Sequence, residues 1–187
     1  MNDVAAGPDS GPGSGPGSGP DADPVEVARL ICLRQLELAP RTRAQLATVL
    51  TRKAVPPEAA QVVLDRFVEV GLIDDAEFAR AWVDSRQRGR GLARRALAHE
   101  LRQRGVSEPE AAQALALVDP EMELAAARRL VARKLASTAR LDPAARMRRL
   151  GGMLARKGYP SSLAFQVVRD ALAGEGIVDG ADVGSDI

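Results

Sequence analysis

Three segments of the chain, Arg43 to Gln61, Arg94 to Gln113 and Met147 to Gln166, are copies of one pattern. Leu46, Leu97 and Leu150 correspond, as do Leu50, Leu101 and Leu154, then Lys53, Arg104 and Lys157, then Ala54, Gly105 and Gly158, and last Gln61, Gln113 and Gln166. The spacing is 51 to 53 residues. Self-similarity at such a period means tandem supersecondary units, each too small to bury its own apolar face and completed by its neighbours. A row of such units offers a long surface for binding rather than a pocket for chemistry.

The periodicity inside each copy is helical. Ala60, Val63, Leu64, Phe67 and Val68 form an apolar stripe, echoed by Ala111, Ala114, Leu115 and Val118 and by Ala164, Val167, Val168, Ala171 and Leu172. No two-residue alternation competes with it. Asp74 with Glu77 and Ser107 with Glu110 have capping-box spacing, and Asp119-Pro120 and Asp142-Pro143 place a cap before a proline at the first helical position. Gly71, Gly105, Gly158 and Gly174 stand where helices should stop. The expected fold is all-α: nine helices in three tandem three-helix units, stacked into an elongated, curved body. The helices are placed near residues 25–39, 43–53 and 57–70, then 75–88, 92–104 and 108–118, then 120–138, 143–157 and 161–173. Gly89 and Gly91 are expected to break the chain between the fourth and fifth helices. The units run over residues 25–74, 75–118 and 119–173.

Outside them lie two tails. Residues 1–24 carry Gly-Pro-Gly-Ser repeats and residues 174–187 interleave glycines with single acids, compositions expected to be disordered. The tails hold eight acids, so the body keeps all 26 Lys and Arg against 17 of the 25 Asp and Glu. A chain of net charge +1 thus has a body of +9. The excess is concentrated: Arg86 to Arg104 holds seven Arg against Glu100 alone, and Arg128 to Lys157 holds ten basic residues against Asp142 alone. Charge runs commonly face water and nothing else, but this clustering points to a polyanion or an acidic protein surface as partner. The first unit is nearly balanced and is not expected to make such a contact.

The candidate contact residues are Arg86, Arg90, Arg94, Arg95, Arg102 and Arg104 in the second unit and Arg129, Arg133, Lys134, Arg148, Arg149, Arg156 and Lys157 in the third. Arg95 and Arg102 are seven apart, Arg129 and Arg133 four apart, and Arg149 and Arg156 seven apart, so each pair shares a helix face. Arg forks onto carboxylates or phosphates with two parallel hydrogen bonds. Aromatics are few, and Phe67, Phe78, Trp82 and Phe165 fall on apolar stripes, so bases would find little to stack on. Backbone-only DNA contact through about five phosphates gives a salt slope of about −4.5.

Enzyme classes find no support. His99 beside Glu100 lacks a nucleophile or a second carboxylate, and Gly89-Arg90-Gly91 lacks the further glycines and preceding strand of a phosphate loop. Cys32, amid Leu30, Ile31 and Leu33, reads as a buried small hydrophobe, and a single cysteine makes no disulfide or cysteine-based zinc site. No cofactor is expected. Neither a membrane span nor a leader is visible, which gives a cytoplasmic protein, expected as a monomer.

The string Gly71-Leu72-Ile73-Asp74-Asp75, then Phe78-Ala79, Trp82-Val83, Ser85-Arg86, Gly91, Glu100-Leu101-Arg102 and Gly105-Val106 resembles the RecX family of recombination regulators, from about residue 27 to residue 172. The resemblance implies three tandem three-helix units and a non-catalytic protein of DNA repair, recombination and the SOS response. Such a protein lodges in the groove of the RecA–DNA filament and inhibits its ATPase, strand exchange and growth, with many members also binding single- or double-stranded DNA. Ala54 departs from the pattern of Gly105 and Gly158, which implies a less tightly turned ending to the first unit's middle helix. The rival reading is a standalone DNA-binding protein of helix-turn-helix-like units.

Overall fold

The structure is a computed structural model that describes residues 23–176. The tail expectations for residues 1–22 and 177–187 lie outside the described residues.

Among the described residues there are nine α-helices and no strand. They are α1 (Pro24–Leu38), α2 (Arg43–Arg52), α3 (Pro57–Glu69), α4 (Asp75–Arg90), α5 (Arg94–Gln103), α6 (Glu108–Ala116), α7 (Pro120–Leu135), α8 (Pro143–Arg156) and α9 (Ser161–Ala173), with a 3-10 turn at Ala136–Thr138 after α7. Helices of 9 to 16 residues are marginal alone, so packing holds them. Local chemistry nevertheless sets their ends. Asp23, Asp74, Asp119 and Asp142 each accept a backbone N–H from the first turn that follows, and Thr42–Gln45 and Ser107–Glu110 form complete capping boxes. Asp23, counted in sequence as a tail acid, is therefore the cap of α1.

Three apolar cores result, one per set of three helices. Cys32, Leu46, Leu50, Val63 and Phe67 anchor the first, Ala79, Val83, Leu97, Leu101 and Ala114 the second, and Val131, Leu150, Leu154, Val167 and Leu172 the third. The repeated leucines are all fully buried, at 0–1% exposed. Truncating one to alanine costs about 2–5 kcal/mol. One sequence correspondence is out of register: Gln61 is the fifth residue of α3, whereas Gln113 and Gln166 are the sixth of α6 and α9. Val63, Ala114 and Val167 are the true equivalents.

Each middle helix ends in the same left-handed turn, at Ala54 (φ 55°), Gly105 (φ 74°) and Gly158 (φ 88°). The N–H of Val55, Val106 and Tyr159 returns to the carbonyl of Leu50, Leu101 and Leu154 in turn. Ala54 does not loosen the first turn; it adopts the glycine conformation.

That turn is where units join, which explains the departure at Ala54. A Cβ on Gly105 would lie 2.3 Å from the Ala44 Cβ on α2, and one on Gly158 would lie 2.5 Å from the Ala96 backbone N on α5. Each glycine seats its unit on the start of the preceding middle helix. Among the described residues no unit precedes the first, so a methyl group at residue 54 has no such helix start to meet. Two hydrogen bonds repeat at each joint. The Thr42 hydroxyl donates to the Arg104 carbonyl (2.6 Å), as the Ala93 N–H donates to the Lys157 carbonyl (2.9 Å). Arg43 N–H, at the start of α2, donates to the Asp75 carboxylate of α4 (2.9 Å), as Arg94 N–H, at the start of α5, donates to Glu123 of α7 (2.9 Å). An acidic side chain of the next unit thus caps each of these helices.

The third middle helix closes itself. It is four residues longer at its start than α2 or α5 relative to the aligned leucines, with Asp142 as cap and Pro143 presenting no N–H. Arg146 therefore stands where Thr42 and Ala93 stand, four residues before the aligned leucine. One further expectation fails: α4 runs through Gly89 to Arg90 and turns only at Gly91, in the left-handed region. Gly89 is solvent-facing helix.

Candidate partner interface

The joint between the second and third units gathers the end of α4, all of α5 and α8, the outer face of α7 and the start of α9. Two depressions open there and a third lies beside them within the third unit. The largest, about 660 Å³, has Arg95, His99 and Arg102 of α5 on one wall and Arg156 of α8 and Ser161 of α9 on the other, with Ala96, Ala98, Ala155 and Gly158 keeping it open. A second, of about 290 Å³, is lined by Arg88 of α4 and by Arg129 and Arg133 of α7. A third, of about 170 Å³ between α7 and α8, is lined by Lys134, Thr138, Arg149 and Arg156. The three arginine pairs read from helical spacing are each brought into one depression, and Arg156 belongs to two.

These cations differ from those of the first unit in a way that matters for binding. Among the described residues Arg29, Arg43 and Arg66 are paired with Glu26, Asp65 and Glu69, leaving Arg34, Arg41, Arg52 and Lys53 of that unit outside any ion pair, whereas no carboxylate pairs with any of the clustered side chains of Arg95, Arg102, Arg129, Arg133, Lys134, Arg149 or Arg156. Their field is uncompensated and adds across the joint. Lys157, half-buried between the depressions, donates its Nζ to the Arg90 carbonyl at 2.6 Å. Burial first, then the charges of Arg133 and Arg90, hold its ammonium below the ordinary lysine value. Arg94 and Arg148 are exposed but line none of the three depressions.

Arg86 and Arg104 have another occupation. Their guanidinium carbons lie 3.9 and 3.6 Å from the centroid of the Trp82 ring, and the Trp82 N–H donates to Glu100 at 2.8 Å. Arg86 Nε is also 3.3 Å from the same Glu100 oxygen. Trp82 in turn stacks on Phe78 with centroids 5.8 Å apart, and both pack on the core of the second unit. Burial, with the Arg86 charge adding and Glu100 opposing, pulls the Arg104 pKa down. Both arginines are half-buried parts of this stack before they are anything else.

Three residues of the surface escape the sequence reading. Arg88 lies in the same arginine run as the chosen residues and could have been taken with them, although it also pairs with Asp84. His99, set aside as a catalyst, sits in the groove wall between Arg95 and Arg102 and contacts Gln103. Phe165, expected on an apolar stripe, is 55% exposed on α9. It occupies the position of Gln61 and Ala112, both exposed, so the correct register identifies it as an outward residue. Cys32 is buried, with its thiol pushed up to about 11. Among the described residues no cluster of three His, Cys, Asp or Glu could hold a metal ion, and no helix is long and apolar enough to cross a membrane.

Comparison with known proteins divides the chain as the cores do. Models of the first, second and third three-helix domains of RecX match residues 28–67, 74–115 and 121–168. The chain is 58% identical over 154 residues to regulatory protein RecX of Streptomyces coelicolor, covering 82% of each, and 57% identical over 150 residues to that of Thermobifida fusca, covering 80% of this chain and 81% of the other. The crystal structure of RecX from Lactobacillus salivarius superposes with a TM-score of 0.72 over 80% of this chain and 97% of that one, at 15% identity, which speaks for the fold alone. With all three of its helical units matched in order and its sequence held in common over four-fifths of its length, the chain belongs to the RecX family of regulatory proteins.

Proposed function

We propose that this protein is a non-catalytic regulator of the RecA–DNA filament, which it engages through the cationic joint between its second and third units to inhibit ATP hydrolysis, strand exchange and filament growth. The observation that carries the reading is the convergence of uncompensated Arg95, Arg102, Arg129, Arg133 and Arg156 on one inter-unit joint, with Lys134 and Arg149 in the α7–α8 cleft that shares Arg156 with it, in a chain of this family. A helix of 16 residues is about 24 Å long at 1.5 Å per residue, so a row of three units reaches more than one protomer of a polymer. Weak contacts repeated along such a target reinforce one another through effective concentration. DNA phosphates and acidic protein side chains both suit the guanidinium forks.

The test is RecA ATPase activity on single-stranded DNA with this protein added below one copy per protomer. The wild type inhibits, and the combined Arg95→Ala, Arg102→Ala and Arg156→Ala variant, helical as before, needs more than about ten times the concentration, equivalent to more than about 1.4 kcal/mol. Undiminished inhibition by that variant removes the joint from the reading. Inhibition that requires DNA-saturating amounts, with equal DNA binding whether or not recombinase is present, favours the standalone DNA-binding protein instead.

A further inference from the structure

Arg146 is 1% exposed and the largest of the fully buried side chains. A guanidinium does not shed its proton, so its burial requires a counter-charge and hydrogen-bond acceptors. Its Nε donates to the Thr138 hydroxyl at 3.2 Å, and its Nη2 donates to the Glu175 carboxylate at 2.5 Å and faces the Leu135 carbonyl at 3.5 Å. Glu175, 37% exposed, lies on the turn that follows α9. Its backbone N–H continues that turn by donating to the Leu172 carbonyl.

Two features give this pair a meaning beyond local packing. Arg146 occupies the position at which Thr42 and Ala93 donate to a carbonyl of the following unit, and one residue on, at Arg43 and Arg94, that unit also supplies a carboxylate to the backbone N–H, from Asp75 or Glu123. Beside Arg146 the carboxylate comes from Glu175 of the same unit and meets the side chain rather than a backbone N–H. Thr138, the other partner of Arg146, lines the cleft of Lys134, Arg149 and Arg156. A continuous line of polar contact thus runs from the turn after α9, through the interior of the third unit, to the wall of a cationic cleft.

We propose that Glu175 and Arg146 form a detachable lock: while closed, it keeps the Arg146 guanidinium inside the unit and holds Thr138 and the α7–α8 cleft in shape; when Glu175 is withdrawn, Arg146 turns out toward the cleft and adds a cation to it. Arg146 and Glu175 are positioning residues for the cleft, and the proposal rests on that cleft facing an anionic partner. Any event that pulls the turn after α9 away from the body raises the affinity of the third unit for phosphate.

The experiment uses the full chain as wild type, Glu175→Gln and the Arg146→Met/Glu175→Gln pair, with two readouts: amide exchange, and the salt dependence of binding to a labelled single-stranded oligonucleotide. Glu175→Gln is expected to accelerate exchange at least about tenfold across residues 136–147 while α1 to α6 stay protected, and to steepen the salt slope by about 0.7, the increment of one more phosphate contact on a single strand. The double variant, with an apolar chain of similar length in place of the stranded charge, restores protection and the original slope. Unchanged exchange in Glu175→Gln overturns the lock, as does loosening spread evenly over all three units. Local loosening with an unaltered slope overturns its connection to the cleft. Absence of any salt-dependent binding by the wild type removes the cleft as an anion-facing surface, while the exchange data still decide whether Glu175 holds Arg146 in place.

Discussion

The joint between the first two units and the joint between the last two share a plan and differ in strength. Each has a left-handed turn seated on an alanine, one bond to a C-terminal carbonyl and one carboxylate cap. The second joint adds more. Tyr159, 4% exposed, donates its hydroxyl to the Gly91 carbonyl at 3.1 Å, Lys157 reaches the Arg90 carbonyl, and Ala93 is drawn into the core of the third unit. Burial foremost, with the Glu123 charge adding, pushes the Tyr159 phenol up to about 12, a sign of how little water reaches that side. The first joint has no such additions, and its Asp75 cap is partly desolvated: burial, then the charges of Glu110 and Asp74, raise its carboxyl against the lowering effect of the Arg43 contacts. One repeat pattern has therefore produced a firm joint, around which the unpaired cations gather, and a softer one beside a charge-balanced unit.

The largest test of that contrast is Gly158→Ala. A methyl group there meets main-chain nitrogen of Ala96, which cannot move without shifting α5, and it must also accept the left-handed conformation. Left-handed strain and overpacking together cost about 2–5 kcal/mol. Denaturant midpoints should fall accordingly, with the fastest amide exchange at Ala93 and Arg94; wild-type midpoints would mean that the second joint is looser than its contacts indicate.

Gly105→Ala should cost less, about 2–4 kcal/mol, because the obstacle is only the methyl group of Ala44. A double-mutant cycle sharpens the comparison. Ala44→Gly removes the collision outright, so the 44/105 pair should couple by at least about 1 kcal/mol. Ala96→Gly leaves the nitrogen in place, so the 96/158 pair should couple more weakly. The reverse order would refute the assignment of side-chain contact at the first joint and main-chain contact at the second.

Much of this architecture is legible in the chain, because leucine spacing and caps act locally. Leu46, Leu97 and Leu150 locate the middle helices, and Ser107 or Asp142 mark starts by the bonds they make within three residues. The joints were not legible. Asp75 and Glu123 look like ordinary first-turn acids favoured by their own helix dipoles, yet each caps a helix 32 or 29 residues earlier. Glu175 has the look of a tail acid and proves to be the counter-charge of Arg146. The same distance effect divides the candidate site. Pairs set by helical phase, such as Arg95 with Arg102, come together as expected, and Arg86 meets Trp82 four residues earlier on α4 by the same rule, whereas Arg104 is drawn onto Trp82 by a tertiary approach that no spacing along the chain encodes.

The Asp75 cap adds a pH dependence specific to the first joint. A carboxyl whose folded pKa is raised is bound more tightly by protons in the folded state than in the unfolded one. Its contribution is fully present below the ordinary aspartate value of 3.8 and is lost as pH rises through the higher folded value. Asp75→Asn keeps an oxygen to accept the Arg43 N–H without the buried charge. Relative to wild type, the variant should gain stability as pH is raised from 3.8 toward neutrality, read from unfolding midpoints at matched salt. A variant that tracks the wild type in parallel at every pH would show that the burial of this carboxyl carries no penalty.

The smallest effect is expected at Ala54, and it bears on why the three turns differ at all. Ala54 holds φ 55°, a conformation that costs an L-residue about 1–2 kcal/mol, and Ala54→Gly releases that strain. The glycine also enlarges the unfolded ensemble, which takes back about 0.4–1 kcal/mol. The net gain should therefore be about 1 kcal/mol or less, visible as a slight rise in unfolding midpoint with no change in exchange at either joint. If Ala54→Gly instead loosened the first unit, the methyl group would have to be making a contact, and the turn would be doing more than ending a helix. The sign of this small change distinguishes a position that lost its glycine because no neighbour presses on it from one that acquired an alanine for a purpose. The exposure of Ala54, together with the close approach of a preceding unit at Gly105 and Gly158 only, favours the first.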